Sequence, residues 1–157
     1  MAVTAKLFGK YLYHVVLGDT NTQHKWEDNT IKCVLCTSVS NISTENAQDT
    51  LEYYSELTGE ITGDGYTEGG MAISYDAGKT STYSGTDNTI TFDGDDAYWS
   101  NSTITAYYAV LYDASTSADS TGQLLIGYVD FGADQSSASG TFTVQWSSAG
   151  IVKITVA

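Results

Sequence analysis

From residue 71 onward the apolar residues of this chain recur at every second position, and the whole sequence contains no proline. Met71, Ile73 and Tyr75 alternate with other residues. Thr89–Phe92, Ala97–Trp99, Thr103–Tyr112, Leu124–Phe131, Thr141–Trp146 and Ile151–Val156 follow as strand-like runs. A period of two sends successive side chains to opposite faces, which suits a strand and excludes a helix. Asp93-Gly-Asp-Asp, Asp113–Gly122, Gly132–Gly140 and Ser147–Gly150 separate the runs with turn-forming residues. Short strands at such intervals predict a mainly β fold: an antiparallel β-sandwich or jelly-roll-like domain. Tyr108, Val110 and Tyr112 share one face of their strand, and Tyr107, Ala109 and Leu111 the other. Both faces are apolar, so both are expected to be covered, by another subunit or by the chain's own N-terminal helix.

That helix is read over residues 4–17. Leu7, Phe8, Tyr11, Leu12, Val15 and Val16 fall at the i, i+3, i+4 spacing of one helical face. Thr4 can cap its start and Gly18 can end it, while Gly9 inside it costs about 1 kcal/mol relative to Ala. Residues 18–29 are polar and turn-like, 30–37 form a strand expected to be central, and 38–49 read as loop. Leu51, Tyr54 and Leu57 fit a short internal helix over 50–58, stopped by Gly59. The four glycines of 60–70 imply tight turns and close backbone approach. The organisation expected is one domain, 1–157, with a helix and arm over 1–29 and a β-sandwich over 30–157.

Composition narrows the function. There are six Lys, no Arg and nineteen Asp and Glu, a formal charge of −13 and a pI near 4.1. Nucleic-acid binding needs cations to displace counterions from phosphate, and anionic membrane surfaces need them too, so neither partner is expected. No apolar run reaches the roughly 18 residues of a membrane span. The chain carries 22 Thr, 17 Ser and 12 Tyr, a composition commoner in extracellular domains. Yet its start lacks the uninterrupted apolar stretch of a secretory leader, being broken by Lys6, Gly9, Lys10 and His14. Virion proteins reconcile the two traits: they are made in the host cytoplasm and must then survive outside it.

Motifs for chemistry are sparse. Cys33-Val-Leu-Cys36 is a single C-x2-C. On a strand its two thiols point to opposite faces, so they read as buried apolar groups rather than as a zinc pair or a disulfide. Asp93, Asp95 and Asp96 are hard oxygen donors that could take calcium, or simply an acidic, soluble turn. His14 and His24 are the only histidines, and Gly-x-Ser-x-Gly, Gly-x-Gly-x-x-Gly and the Walker pattern are absent. A small hydrolase would need a cleft bringing His14 or His24 to a nucleophile. Trp26, Trp99, Trp146 and the tyrosines could form a sugar-stacking platform, a protein interface or core. No catalytic residue, cofactor or metal is assigned, and no enzymatic activity is expected.

Gly65-Tyr-Thr-Glu-Gly-Gly70, the run from Trp99 to Tyr112, Leu125-Ile-Gly-Tyr-Val-Asp-Phe-Gly-Ala-Asp134 and the closing hairpin resemble small structural proteins of tailed-bacteriophage virions. The likeness runs from Ala5-Lys-Leu-Phe-Gly-Lys to Ala157. It implies a virion structural protein without catalysis or cofactor, most like a capsid decoration (cement) protein. Such a protein stabilises the head by binding the major capsid protein lattice, often as a homotrimer. A tail, fibre or receptor- (carbohydrate-) binding domain is the alternative. Leu7, Phe8, Tyr11, Leu12 and Val15 are the candidate contacts to a neighbouring subunit or the capsid, unless the helix merely covers its own sheet. The Gly63–Gly70 loop is a second candidate.

Overall fold

The computed structural model describes residues 3–17, 26–27, 30–44, 47–73, 80–115 and 122–155. Its centre is a pair of long antiparallel strands, β6 (Ala97–Asp113) and β7 (Leu125–Val144). β1 (Thr4–Leu7) adds outside β7. β2 (Ile31–Cys36) and the two-residue β3 (Met71–Ala72) add outside β6, giving a five-stranded sheet in the order β1-β7-β6-β2-β3. β4 (Thr80–Ser84), β5 (Thr89–Asp93) and β8 (Val152–Thr155) form a second sheet in the order β4-β5-β8. Every pairing is antiparallel, and the arrangement is sandwich-like and mainly β.

The pairing is nested. β6 lies with β7, and their continuations β5 and β8 lie with each other, so residues 89–113 and 125–155 make one ribbon that bends from the first sheet into the second. The bend is tied by side chains. Asp96 Oδ1 accepts the Trp146 backbone N–H at 2.8 Å, and the Asp95 carbonyl accepts the Trp146 indole N–H at 3.1 Å. Ile151 N–H reaches the Phe92 carbonyl at 2.9 Å just beyond it. Gly150 sits there at φ +106°, and a Cβ on it would lie 2.4 Å from Thr91 Cγ2. Only glycine meets both conditions.

The core follows from this. Ile31, Cys33, Val34, Leu35, Val110, Leu125 and Ile126 are wholly buried. The face of 107–112 that carries Tyr108, Val110 and Tyr112, with Tyr128 opposite Val110, is covered by the chain itself. Phe8 and Tyr11 cover part of the sheet, with the Phe8 ring 5.5 Å from Tyr128, while Tyr54 stacks on Tyr112 at 4.4 Å. The chain thus supplies cover of its own. Trp26 is also buried, beside Phe92 at 5.3 Å, with its indole N–H on the Asp93 carbonyl at 2.8 Å.

Several expectations need correction. The helix does not begin at Thr4. Thr4–Leu7 is β1, hydrogen-bonded to Gly127–Asp130, and α1 runs Gly9–Leu17, so Gly9 opens the helix instead of interrupting it. The end assigned to Gly18 lies outside the described residues, as does Tyr75 of the Met71 alternation. Over 50–58 there is no continuous helix. α2 occupies Ala47–Thr50, and Tyr54–Glu56 forms a single 3-10 turn. The loop assigned to 38–49 contains the first three residues of that helix and a 3-10 turn over Asn41–Ser43. Gly132–Gly140 is no separator but the middle of β7, and the break assigned to residues 100–102 is a bulge in β6, with Asn101 at φ +50°. β2 is an interior strand, paired with β6 on one side and β3 on the other, as its apolar run implies.

Candidate interaction surfaces and polar clusters

The five residues proposed as contacts divide across the end of β1, the residue that follows it and α1. Phe8 and Tyr11 are wholly buried in the chain's own core, and Leu7 is half-buried. Leu12 and Val15 face outward, 36% and 41% exposed, with Tyr13 beside them at 57%. The helical spacing identifies an apolar helix correctly but not which side is covered. Positions 8, 11 and 14 turn inward, and 12, 13 and 15 are left outside. The Phe8 N–H bonds to the Ile126 carbonyl at 3.1 Å, so the entry to the helix is fixed to β7.

An acid–base contact holds the other side of the helix. His14 Nε2 lies 2.7 Å from Glu52 Oε1, and Lys10 Nζ lies 3.7 Å from Glu52 Oε2. Burial acts to raise the Glu52 carboxyl, but hydrogen bonds from Tyr53 and His14 and the charges of His14 and Lys10 outweigh it. The net effect holds the group below the ordinary range. His14 is thereby given a carboxylate that joins α1 to the Tyr53 segment. His24 lies outside the described residues.

The Gly63–Gly70 region is built around one carboxylate. Glu60 Oε2 accepts the Tyr54 hydroxyl at 2.5 Å, and Oε1 accepts both the Tyr66 hydroxyl and the Gly69 N–H at 2.7 Å. The Tyr66 oxygen in turn accepts the Leu35 N–H at 3.1 Å, and the Tyr112 hydroxyl donates to the Gly69 carbonyl at 2.9 Å. Tyr66 stacks on Trp99 at 5.9 Å, and Trp99 meets Phe142 edge-on at 6.1 Å. Burial, then the Glu60 contact, pushes the Tyr54 and Tyr66 phenols far above their ordinary value. Tyr112 is pushed up to about 12 by burial and the Glu60 charge. These stacked rings are turned to each other, so the aromatics that could have made a sugar platform are largely spent on the core.

The close approach expected of this loop is most acute at Gly70, at φ +67°, where a Cβ would lie 2.0 Å from the Cys33 carbonyl oxygen. The Asp93–Asp96 turn is committed to its own corner: Asp93 Oδ1 accepts the Gly94 N–H at 2.9 Å, and Asp96 holds Trp146. Among the described residues no three His, Cys, Asp or Glu side chains converge on a metal position.

Cys33 and Cys36 are both free and wholly buried, as their strand placement implies. Burial pushes both thiols up, Cys36 to about 12 with the Glu60 charge adding to it, and the thiolate is the reactive form. In the folded protein at about pH 8, below even the ordinary thiol value, neither cysteine is expected to react with a disulfide reagent within about an hour. Both should react at once when the chain is unfolded in guanidinium, where the thiols regain their ordinary acidity. Fast labelling of one native cysteine would contradict this placement. Compared with protein-family models, with curated proteins and with solved structures, the chain finds no match. Among the described residues no helix is long and apolar enough to cross a membrane.

Proposed function

We propose that this chain is a non-enzymatic structural protein of a virion, a decoration protein that fastens neighbouring subunits of a phage head by binding the major capsid protein lattice. The observation carrying this reading is the outward row of α1. Leu12, Tyr13 and Val15 stand exposed on a helix that is anchored in the two-sheet body through Tyr11 and the preceding Phe8, both wholly buried. Apolar groups presented on a fixed support lose little conformational freedom when buried at a contact, and each Å² removed from water contributes roughly 25 cal/mol before association costs. A repeating lattice multiplies such weak contacts through avidity. The charge of −13 keeps unassembled copies apart and soluble. Virion localisation and a homotrimer belong to the same proposal.

The test is co-sedimentation of the purified chain with undecorated heads of the phage that encodes it. Wild type should saturate the shell, and Leu12→Asp with Val15→Asp should lower occupancy at least about tenfold while leaving the melting curve in place. Equal binding by the double variant would remove α1 from the contact, and failure of wild type to bind heads would remove the decoration role. Sedimentation equilibrium tests the trimer directly. A receptor-binding tail domain would instead use exposed aromatics such as Tyr83 and Tyr98. Specific retention on a glycan array, lost in Tyr98→Ala, would replace the decoration reading.

A further inference from the structure

A cavity of about 410 Å³ lies where the two sheets part, between β1 and β7 on one side and β8 with its preceding turn on the other. Its lining is mostly apolar, including Leu7, Leu111, Val129, Trp146 and Val152. That volume is in the range of ligand pockets, but two features set it apart from a small-molecule site. First, it is bordered by two outermost strands. β1 pairs only with β7, and β8 only with β5, so each has an edge without a ladder partner among the described residues. Such an edge is a template for an added strand. Second, its charge runs against that of the chain. Lys6 and Lys153 line it and, among the described residues, no Asp or Glu does, although acids outnumber lysines nineteen to six in the sequence.

We propose that this groove binds an extended acidic peptide of another protein, in which apolar and carboxylate residues alternate. The peptide adds as a strand along the edge of β1. Alternate side chains of such a strand point to opposite sides. Its apolar set enters the cavity over Leu111 and Val129, and its carboxylates reach Lys6 and Lys153. Main-chain pairing supplies affinity, while the two lysines select against basic segments. The proposal is independent of the decoration reading, because Leu12, Tyr13 and Val15 take no part in the groove.

The test uses a fluorescein-labelled nonapeptide of alternating Val and Glu, and a matched peptide of alternating Val and Lys. Each is titrated with the full chain by fluorescence anisotropy in about 50 mM salt, where charge contacts are only partly screened. The Val/Glu peptide should bind saturably, shift tryptophan emission through Trp146, and weaken at least about tenfold with Lys6→Glu plus Lys153→Glu. The Val/Lys peptide should bind at least about tenfold more weakly than Val/Glu. Val129→Ser, in the cavity lining, provides a second variant should the charge reversal disturb folding, and it should also weaken binding. Equal affinity for both peptides, or binding untouched by either variant, would overturn the proposal. So would the absence of binding at millimolar peptide (the weak limit of useful affinities). Self-association of the wild type that disappears in the lysine variant would give the groove to a second copy instead, and would equally overturn it.

Discussion

Gly70→Ala is expected to destabilise the fold by about 3 to 5 kcal/mol, the sum of a strained left-handed backbone and a steric conflict. The conflict is with backbone and cannot be relieved by a rotamer change: the new Cβ would fall 2.0 Å from the Cys33 carbonyl oxygen and 2.8 Å from Val34 Cα. Cys33 and Val34 lie in β2, which is paired along its length with β6, so the strand cannot move aside without loosening its ladder to β6. Urea unfolding should show a lower midpoint with an unchanged slope, and melting should fall by about 10 °C or more. Gly85→Ala is the control. Its Cβ would lie 3.6 Å from the nearest atom, on the Tyr83 ring, and the change should stay within about 0.5 kcal/mol. A Gly70→Ala protein as stable as wild type would mean that the 60–70 segment does not press on β2 as described.

Glu60→Ala is expected to be nearly as costly, about 3 to 5 kcal/mol, because three donors lose a charged acceptor at once. The Tyr54 hydroxyl, the Tyr66 hydroxyl and the Gly69 N–H all converge on this carboxylate. Glu60→Gln keeps one good acceptor oxygen and should cost about half as much. The cluster also fixes an alkaline limit. Folding raises the phenols of Tyr54, Tyr66 and Tyr112 above their unfolded value, so the native state holds these protons more tightly. Their contribution is complete below the unfolded tyrosine value, near pH 10, and is lost as pH climbs toward the folded values (ordinary tyrosine about 10). Stability followed by circular dichroism should therefore decline above about pH 10, and the decline should be shallower in Glu60→Ala, where the acceptor's charge is gone. A stability unchanged up to about pH 12, well above ordinary tyrosine at about 10, would contradict the buried, hydrogen-bonded phenols.

The strands with apolar alternation are readable because that alternation is itself the imprint of a one-sided core. Those without it are not. β4, Thr-Ser-Thr-Tyr-Ser, is an exposed edge strand with nothing apolar to bury and so carries no periodic signal. The middle of β7 is rich in Ser and Gly and reads as a turn. It is held as strand by its partner β6, with Ser102 and Ser137 hydroxyls 2.7 Å apart and Thr105 and Ser136 at 2.8 Å. β1 merges into the helix on sequence alone because Leu7 fits both periods, and only the distant Gly127–Asp130 segment decides between them. The clusters are less legible still. Glu60 stands out only as part of a glycine-rich loop, since Tyr54, Tyr66 and Tyr112 reach it from different segments. The groove arises where the N-terminal and last strands meet, and no local pattern encodes that. The glycine density of 60–70 is the one local sign of a tightly packed loop, and Gly70 against β2 is its physical content.

The bent ribbon has a consequence for how the chain finds its structure. Because β6 meets β7 and β5 meets β8 in nested order, all these pairings share a single point of closure between Asp113 and Leu125. Once that first loop shuts, each further rung joins residues already drawn near, so the entropy of closure is met mainly once and grows slowly afterwards. Assembly can proceed as a zipper from Tyr112 and Leu125 toward Thr89 and Thr155, turning the corner at Trp146 on the way. Damage near the start of the zipper would then slow refolding, while damage at its far end would mainly hasten unravelling.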